Sequence, residues 1–426
     1  MRWTAMTLAA GLVLAPLSAR AAPNDPAWLY QWGMVQVRAE QAWKVSRGGG
    51  AVVAVIDTGV DSTHPDLQRQ VLAGKDFVDD DGTTQDANGH GTLIAGIIAA
   101  STGNGIGIAS VAPDAVILPV RVLGPDGTGT SDDVAAGIAW AVEHGAGVIN
   151  LSLAQDKPGS PALAENLFRD PAVDRAIRDA AAAGSTVLVA AGNSDDGGRS
   201  ETAYDARVPG VIVVGAVARD GRRAAYSNYG PGLDVVAPGG GSATDPSRAA
   251  CDEHNGIVST WWNSSTDESV YGAGCGTSMA VAFASGVAAL LDARGLSNEQ
   301  IVARIVGSAR DLGPAGWDDE TGAGRIDAAR ALGVRASPAA VRPSSTAAPP
   351  SVRSAGNAAG VAGPSPVRSP PPTPPPVTSA MGTPKPMSHV PREGVAVLAT
   401  VLAAAVTAGH LWRLRSRARA RRQAPA

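Results

Sequence analysis

Between about residues 50 and 217 the chain alternates short, continuously apolar runs with longer segments of mixed polarity. The runs Gly50–Asp57, Ala115–Val122, Val148–Leu153, Thr186–Ala190 and Val211–Val217 are largely apolar and rich in β-branched residues, which predicts strands buried on both faces. The segments His90–Ala100, Ser131–His144 and Ala172–Ala183 read as helices, the last stopped by Gly184. Strands alternating with helices in this way predict an α/β domain built on a mostly parallel sheet with helices on both faces. Functional groups in such folds gather at the carboxyl ends of the strands. A later apolar run, Val281–Leu291, predicts one more buried helix, beginning near Ser278.

The two ends follow different patterns. Residues 1–21 hold a charged start, an apolar run from Ala5 to Leu17 and small residues before Ala21, which reads as a signal peptide too short to span a bilayer. Residues 394–412 contain no Asp, Glu, Lys or Arg and would reach about 28 Å as a helix, enough for one transmembrane helix. The six arginines between Arg413 and Arg422 then hold the 413–426 tail in the cytoplasm by the positive-inside rule. Upstream, Ala336 to Val390 carries 14 prolines and no acidic residue, so 335–393 reads as a disordered, semi-rigid linker. The expected layout is a 22–44 extension and a 45–334 globular domain outside the cell membrane, tethered by its tail.

Composition narrows the choice of function. The formal charge of -4 over 426 residues, with the basic cluster confined to the tail, gives no support for nucleic-acid binding. Two cysteines exclude a disulfide-dense scaffold and any four-thiolate metal site. Cys275 stands three residues from Ser278 and invites a thiol-nucleophile reading, but in an exported domain a disulfide between Cys251 and Cys275 is the better account. His64 and His254 lack companion ligands at metal spacing and read as surface or turn residues, and Trp261-Trp262 as loop packing near the site.

Three glycine-flanked windows carry the candidate chemistry. Asp57 ends the first strand in Asp57-Thr58-Gly59, His90 lies in Asn88-Gly89-His90-Gly91-Thr92, and Ser278 lies in Gly276-Thr277-Ser278-Met279-Ala280. A serine hydroxyl becomes a competent nucleophile when an imidazole accepts its proton and a carboxylate fixes that imidazole's tautomer. Each residue alone also suits a cap or a turn. An esterase using the same triad would show Gly-x-Ser-x-Gly and the order Ser, Asp, His, which this chain does not.

The three windows, in the order Asp, His, Ser, resemble the active-site motifs of the subtilisin-like serine proteases, the subtilases, over about residues 45–334. The resemblance implies a subtilisin-like fold and a serine endopeptidase in which Asp57 orients, His90 is the general base and Ser278 the nucleophile. It makes Asn193 the oxyanion donor. It also implies that an extended polypeptide substrate pairs with Ser152-Leu153-Ala154, while Ala190-Ala191-Gly192 walls the primary side-chain pocket. Ala154 stands where the family commonly has Gly, which narrows the pocket entrance, and Ala282 replaces a common Pro. No cofactor is needed for the chemistry, but Asp66 and Asn104 resemble part of the family's structural calcium site. The layout with a spacer and C-terminal span is similar to that of the mycosins, the membrane-anchored subtilases of type VII secretion, which would add secretion-apparatus proteins as partners. The alternative is a catalytically silent scaffold in such a complex.

Overall fold

A computed structural model describes residues 23–153, 167–193, 201–204, 207–246 and 251–334. The expected signal peptide, linker, membrane span and basic tail lie outside the described residues, as does Ala154. All described residues belong to the first of the two units into which the chain's contacts divide it, Met1–Ala336. Among them no helix is long and apolar enough to cross a membrane.

Seven strands make the main sheet: β1 (Val52–Asp57), β2 (Lys75–Asp76), β3 (Val116–Arg121), β4 (Val148–Leu151), β5 (Thr186–Ala190), β6 (Val211–Val217) and β7 (Val235–Pro238). Their order is β2-β3-β1-β4-β5-β6-β7, and every pairing is parallel. The register sets Asp57 beside Arg121 and Val55 beside Asn150, so the carboxyl ends of β1, β3 and β4 open toward one rim.

Both faces of the sheet are covered, which is why its central strands are mostly apolar. In β1 the alternation is visible: Val53 and Val55 join one core, and Val52, Ala54 and Ile56 the other. The first core receives α1 (Trp32–Gln36), α2 (Ala39–Ala42), α3 (His90–Ala99) and the buried α6 (Thr277–Asp292). The second receives α4 (Ser131–Glu143) and α5 (Pro171–Ala182). Local chemistry starts these helices: Thr130 caps α4 through the Asp133 amide, and Asp170 caps α5 with Pro171 in its first turn. Two further helices, α7 (Asn298–Gly307) and α8 (Ala328–Ala331), complete the domain, α7 opening with a Ser297/Gln300 capping box.

Trp261 and Trp262, expected in a loop, lie instead in an antiparallel hairpin, β8 (Ile257–Asn263) with β9 (Glu268–Gly274). The hairpin packs on α3, where Gly96 leaves room for the Ser259 and Thr260 side chains. Their hydroxyls donate to the Leu93 and Thr92 carbonyls at 2.8 and 2.7 Å.

Candidate active site

Asp57, the last residue of β1, is fully buried. Its Oδ1 and Oδ2 lie 2.8 and 3.0 Å from Nδ1 of His90, the first residue of α3, and the Thr58 amide donates to Oδ1 at 2.8 Å. A carboxylate facing Nδ1 holds the proton there and leaves Nε2 as the basic nitrogen. The His90 side chain keeps 22% exposure, so this nitrogen belongs to a ring that meets solvent while its acidic partner does not.

Ser278 is the second residue of α6, a helix that packs against α3. Its hydroxyl donates to the Ser152 carbonyl at 3.0 Å, and the Ser152 hydroxyl donates back to the Ser278 carbonyl at 3.0 Å. This reciprocal pair stitches the end of β4 to the first turn of α6. Asn150 reinforces it, donating to Ser152 Oγ at 2.9 Å and accepting from Ser285 Oγ of α6 at 3.0 Å.

Asn193 follows β5 through Gly192, whose φ of 103° is left-handed and whose missing Cβ makes room for the Asn228 amide. The Asn193 Oδ1 accepts from the Thr277 amide at 2.8 Å and the Thr277 hydroxyl at 3.1 Å. That contact sets the Asn193 amide beside Thr277, the residue immediately before Ser278. Ser152 and Leu153 lie buried just past β4, and Ala190, Ala191 and Gly192 are buried at the end of β5. The sites gathered at these strand ends therefore include every proposed site residue of the three motifs and all described residues of the expected substrate walls.

A model of the Subtilase family matches residues 48–324. The chain belongs to that family. Thermitase from Thermoactinomyces vulgaris is 38% identical over 313 residues, covering 73% of this chain and 99% of thermitase. Subtilisin BL from Lederbergia lenta is 39% identical over 285 residues, or 66% of this chain and 92% of that protein. Among solved structures, one described as proteases from Pseudoalteromonas arctica aligns with a TM-score of 0.62 and 32% identity, covering 74% of this chain and 99% of that one. As a subtilase, the chain is a subtilisin-like serine peptidase with an α/β subtilisin-like fold.

Around the motifs, the structure shows the expected cysteine bridge, corrects one histidine and adds residues that carried no sequence signal. Cys251 and Cys275 are joined as a disulfide, with Cα atoms 5.8 Å apart, and Cys275 immediately follows β9. His64, expected at a surface or turn, is buried: Nε2 donates to the Val270 carbonyl at 2.9 Å and Nδ1 accepts from the Asp66 amide at 3.1 Å. Burial lowers its basicity, which suits the neutral ring these bonds require. His254 is exposed, as expected. Thr277, Thr58 and Asp86 all bond to motif residues or their loops, yet each is an ordinary polar residue in sequence.

Asp66 and Asn104 do meet: the Asn104 amide lies 2.7 Å from Asp66 Oδ1, while the Ile108 amide and the Tyr271 hydroxyl donate to Oδ2 at 3.0 and 2.9 Å. Across the same loop, Asp25 accepts from the amides of Gly103 and Asn104. Burial pushes the Asp25 carboxyl up from its ordinary value and the Asp66 charge adds to this, while the loop amides pull the other way. Burial likewise raises Tyr271, whose phenol stays protonated to donate. Among the described residues, no three His, Cys or acidic side chains come together as a metal-ligating group. The oxygens gathered here are those of the Asp25 and Asp66 carboxylates and the Asn104 amide, whose Oδ1 accepts from the Ile106 amide at 3.0 Å. Two neighbouring buried carboxylates favour a hard cation, which would enter by turning or displacing the N–H and O–H donors that now serve their oxygens.

Proposed function

We propose that this chain is a serine endopeptidase that cuts extended polypeptides with Asp57, His90, Ser278 and Asn193, at the outer face of the cell membrane. The observation that carries the reading is the buried Asp57 carboxylate 2.8 Å from His90 Nδ1, at the rim where α6 presents Ser278. His90 Nε2 accepts the Ser278 proton as Oγ attacks the scissile carbonyl, and Asp57 stabilises the imidazolium that forms. In the free protein Oγ donates its proton to the Ser152 carbonyl, a bond exchanged for one to His90 when substrate binds. Asn193 Nδ2 donates to the oxygen that becomes negative, from an amide already fixed by Thr277, so little reorganisation is needed at the moment of reaction. His90 then returns the proton to the leaving amine, and water repeats the sequence on the acyl-enzyme.

The substrate backbone adds as a strand along Ser152-Leu153-Ala154, which supplies affinity with little sequence information, while the Ala190–Gly192 wall selects the side chain. The chemistry needs no cofactor. Asp25, Asp66 and Asn104 would hold a calcium ion whose contribution is to neutralise two buried carboxylates and fasten the N-terminal segment to the 103–107 loop. The apolar 394–412 segment followed by arginines supports a membrane tether with the catalytic domain outside and its substrate or a secretion-apparatus partner at the membrane.

The deciding experiment is a fluorophosphonate probe with peptide mapping, alongside chromogenic peptides. Wild type should be labelled at Ser278 and turn over, and Ser278→Ala should do neither while keeping its melting temperature. Equal peptide hydrolysis by both would remove the assignment and leave the scaffold reading.

A further inference from the structure

The helix that carries His90 starts without a cap of its own. Its N-cap is Gly89, at φ 109°, which has no side chain to offer the first-turn amides. Those amides are satisfied from outside the helix. Asp86, 1% exposed, accepts at Oδ1 from Thr58 Oγ1, Asn88 N and Gly89 N at 2.8, 2.9 and 2.8 Å. At Oδ2 it accepts from Thr92 N and Thr92 Oγ1 at 2.8 and 2.6 Å. All of these donors are neutral.

Thr58 continues the connection. Its hydroxyl, while donating to Asp86, accepts from the Gly91 amide at 3.0 Å, and its own amide donates to Asp57 Oδ1. The amides of Gly89, Gly91 and Thr92, on either side of His90, are therefore tied to Asp86 or to the neighbour of Asp57. Two glycines permit the close approach: a Cβ on Gly91 would run into the Gly59 carbonyl, and one on Gly59 into the carbonyls of Thr84 and Gln85. A neutral amide in place of Asp86 offers one acceptor oxygen and two N–H groups, which cannot serve donors arriving at both oxygens.

We propose that Asp86 is a positioning residue for His90: its carboxylate clamps the His90 loop onto the Asp57 loop and so holds the imidazole at hydrogen-bond distance from Asp57. The proposal rests on the reading of His90 as general base. A carboxylate serving only as a remote helix cap would contribute stability and nothing to the rate per folded molecule.

The test compares full-length wild type with Asp86→Asn, counting active sites by fluorophosphonate titration so that unfolded protein does not enter the rate. The expected result is a fall in kcat per titrated site of about 10- to 100-fold with KM changed by less than about twofold, as misplacement of a catalytic group produces. The low-field NMR resonance of the His90 Nδ1 proton should weaken or move upfield as its contact with Asp57 loosens. A lower melting temperature with kcat per site and the resonance unchanged would overturn the proposal. Should Asp86→Asn not fold, Thr58→Val removes the hydroxyl that joins the two loops, and Thr58→Ser should recover most of the rate that Thr58→Val loses. Thr58→Val at the wild-type rate would overturn the clamp equally. The resonance is read without turnover, so a wild type unreactive toward fluorophosphonate would refute the catalytic reading while the NMR comparison still decides the clamp.

Discussion

Asn193 shows how a single side chain divides its work. Its oxygen accepts from Thr277, which fixes the amide, and the proposed oxyanion role falls to its nitrogen. Asn193→Ala should therefore lower kcat by about 100- to 1,000-fold with little change in KM, the loss expected for one oxyanion donor; steady-state kinetics with one peptide substrate checks it. Asp25 makes a prediction through its burial, to which the Asp66 charge adds. Its folded pKa is raised, so the stability it contributes is complete below the unfolded value and is lost as pH rises through the folded one. At neutral pH the calcium-free protein therefore carries a penalty that a cation would remove. Calcium should raise the melting temperature at pH 7 more than near pH 4, and Asp25→Asn should shrink that rise; thermal scans with calcium and with chelator measure both. The motif residues were legible because glycines flank them and their order is unusual. Asp25, Asp86 and Thr277 were not, because their partners are main-chain amides or side chains brought close only by the fold.

Among the elements, five strands of the main sheet were legible, whereas the short β2 and β7 and the hairpin were not. Val52–Asp57 and Val211–Val217 bury both faces and so read as unbroken apolar runs, and β5 and β6 fall at the expected residues. In β8 and β9, the pattern Ile257–Asn263 fades from buried to half-exposed and Glu268–Gly274 is glycine-rich and half-exposed throughout, so neither gives a strand signal. What defines the hairpin is its packing: Trp261 lies against Gly89, Ser269 bonds to Asp61, and Tyr271 reaches Asp66. The Cys251–Cys275 bridge closes a loop of 25 residues around it, for which chain entropy gives about 3.5 kcal/mol in a model-dependent account. The Cys251→Ser/Cys275→Ser double variant should lose stability on that order in urea unfolding. Since Cys275 leads into Thr277 and Ser278, it should also lose peptide-hydrolysing rate below the temperature at which it unfolds.

At the scale of the whole molecule, every residue assigned to chemistry lies before Arg335. Truncation after Val334 should release a soluble protein with small-peptide turnover within about twofold of the full chain, because tethering governs local concentration and not the chemical step. Protease-accessibility mapping of the full chain in cells should find the arginine tail protected and the catalytic domain open to attack. The sheet order carries a different consequence, one of timing. Asp57 and His90 belong to β1 and α3, near the start of the domain, whereas Ser278 sits on α6, which threads against β4, β5, β6 and β7 after all of them have been made. A chain emerging from synthesis holds the proposed base and its carboxylate long before it possesses the proposed nucleophile, and Ser278 reaches them only once distant strands have paired. Such non-local pairing is slow, since the entropy of closing large loops is lost before the contacts that reward it form. On the proposed reading, peptide-cutting capacity is thus the last property this chain acquires as it folds, and its half-made forms are harmless to one another.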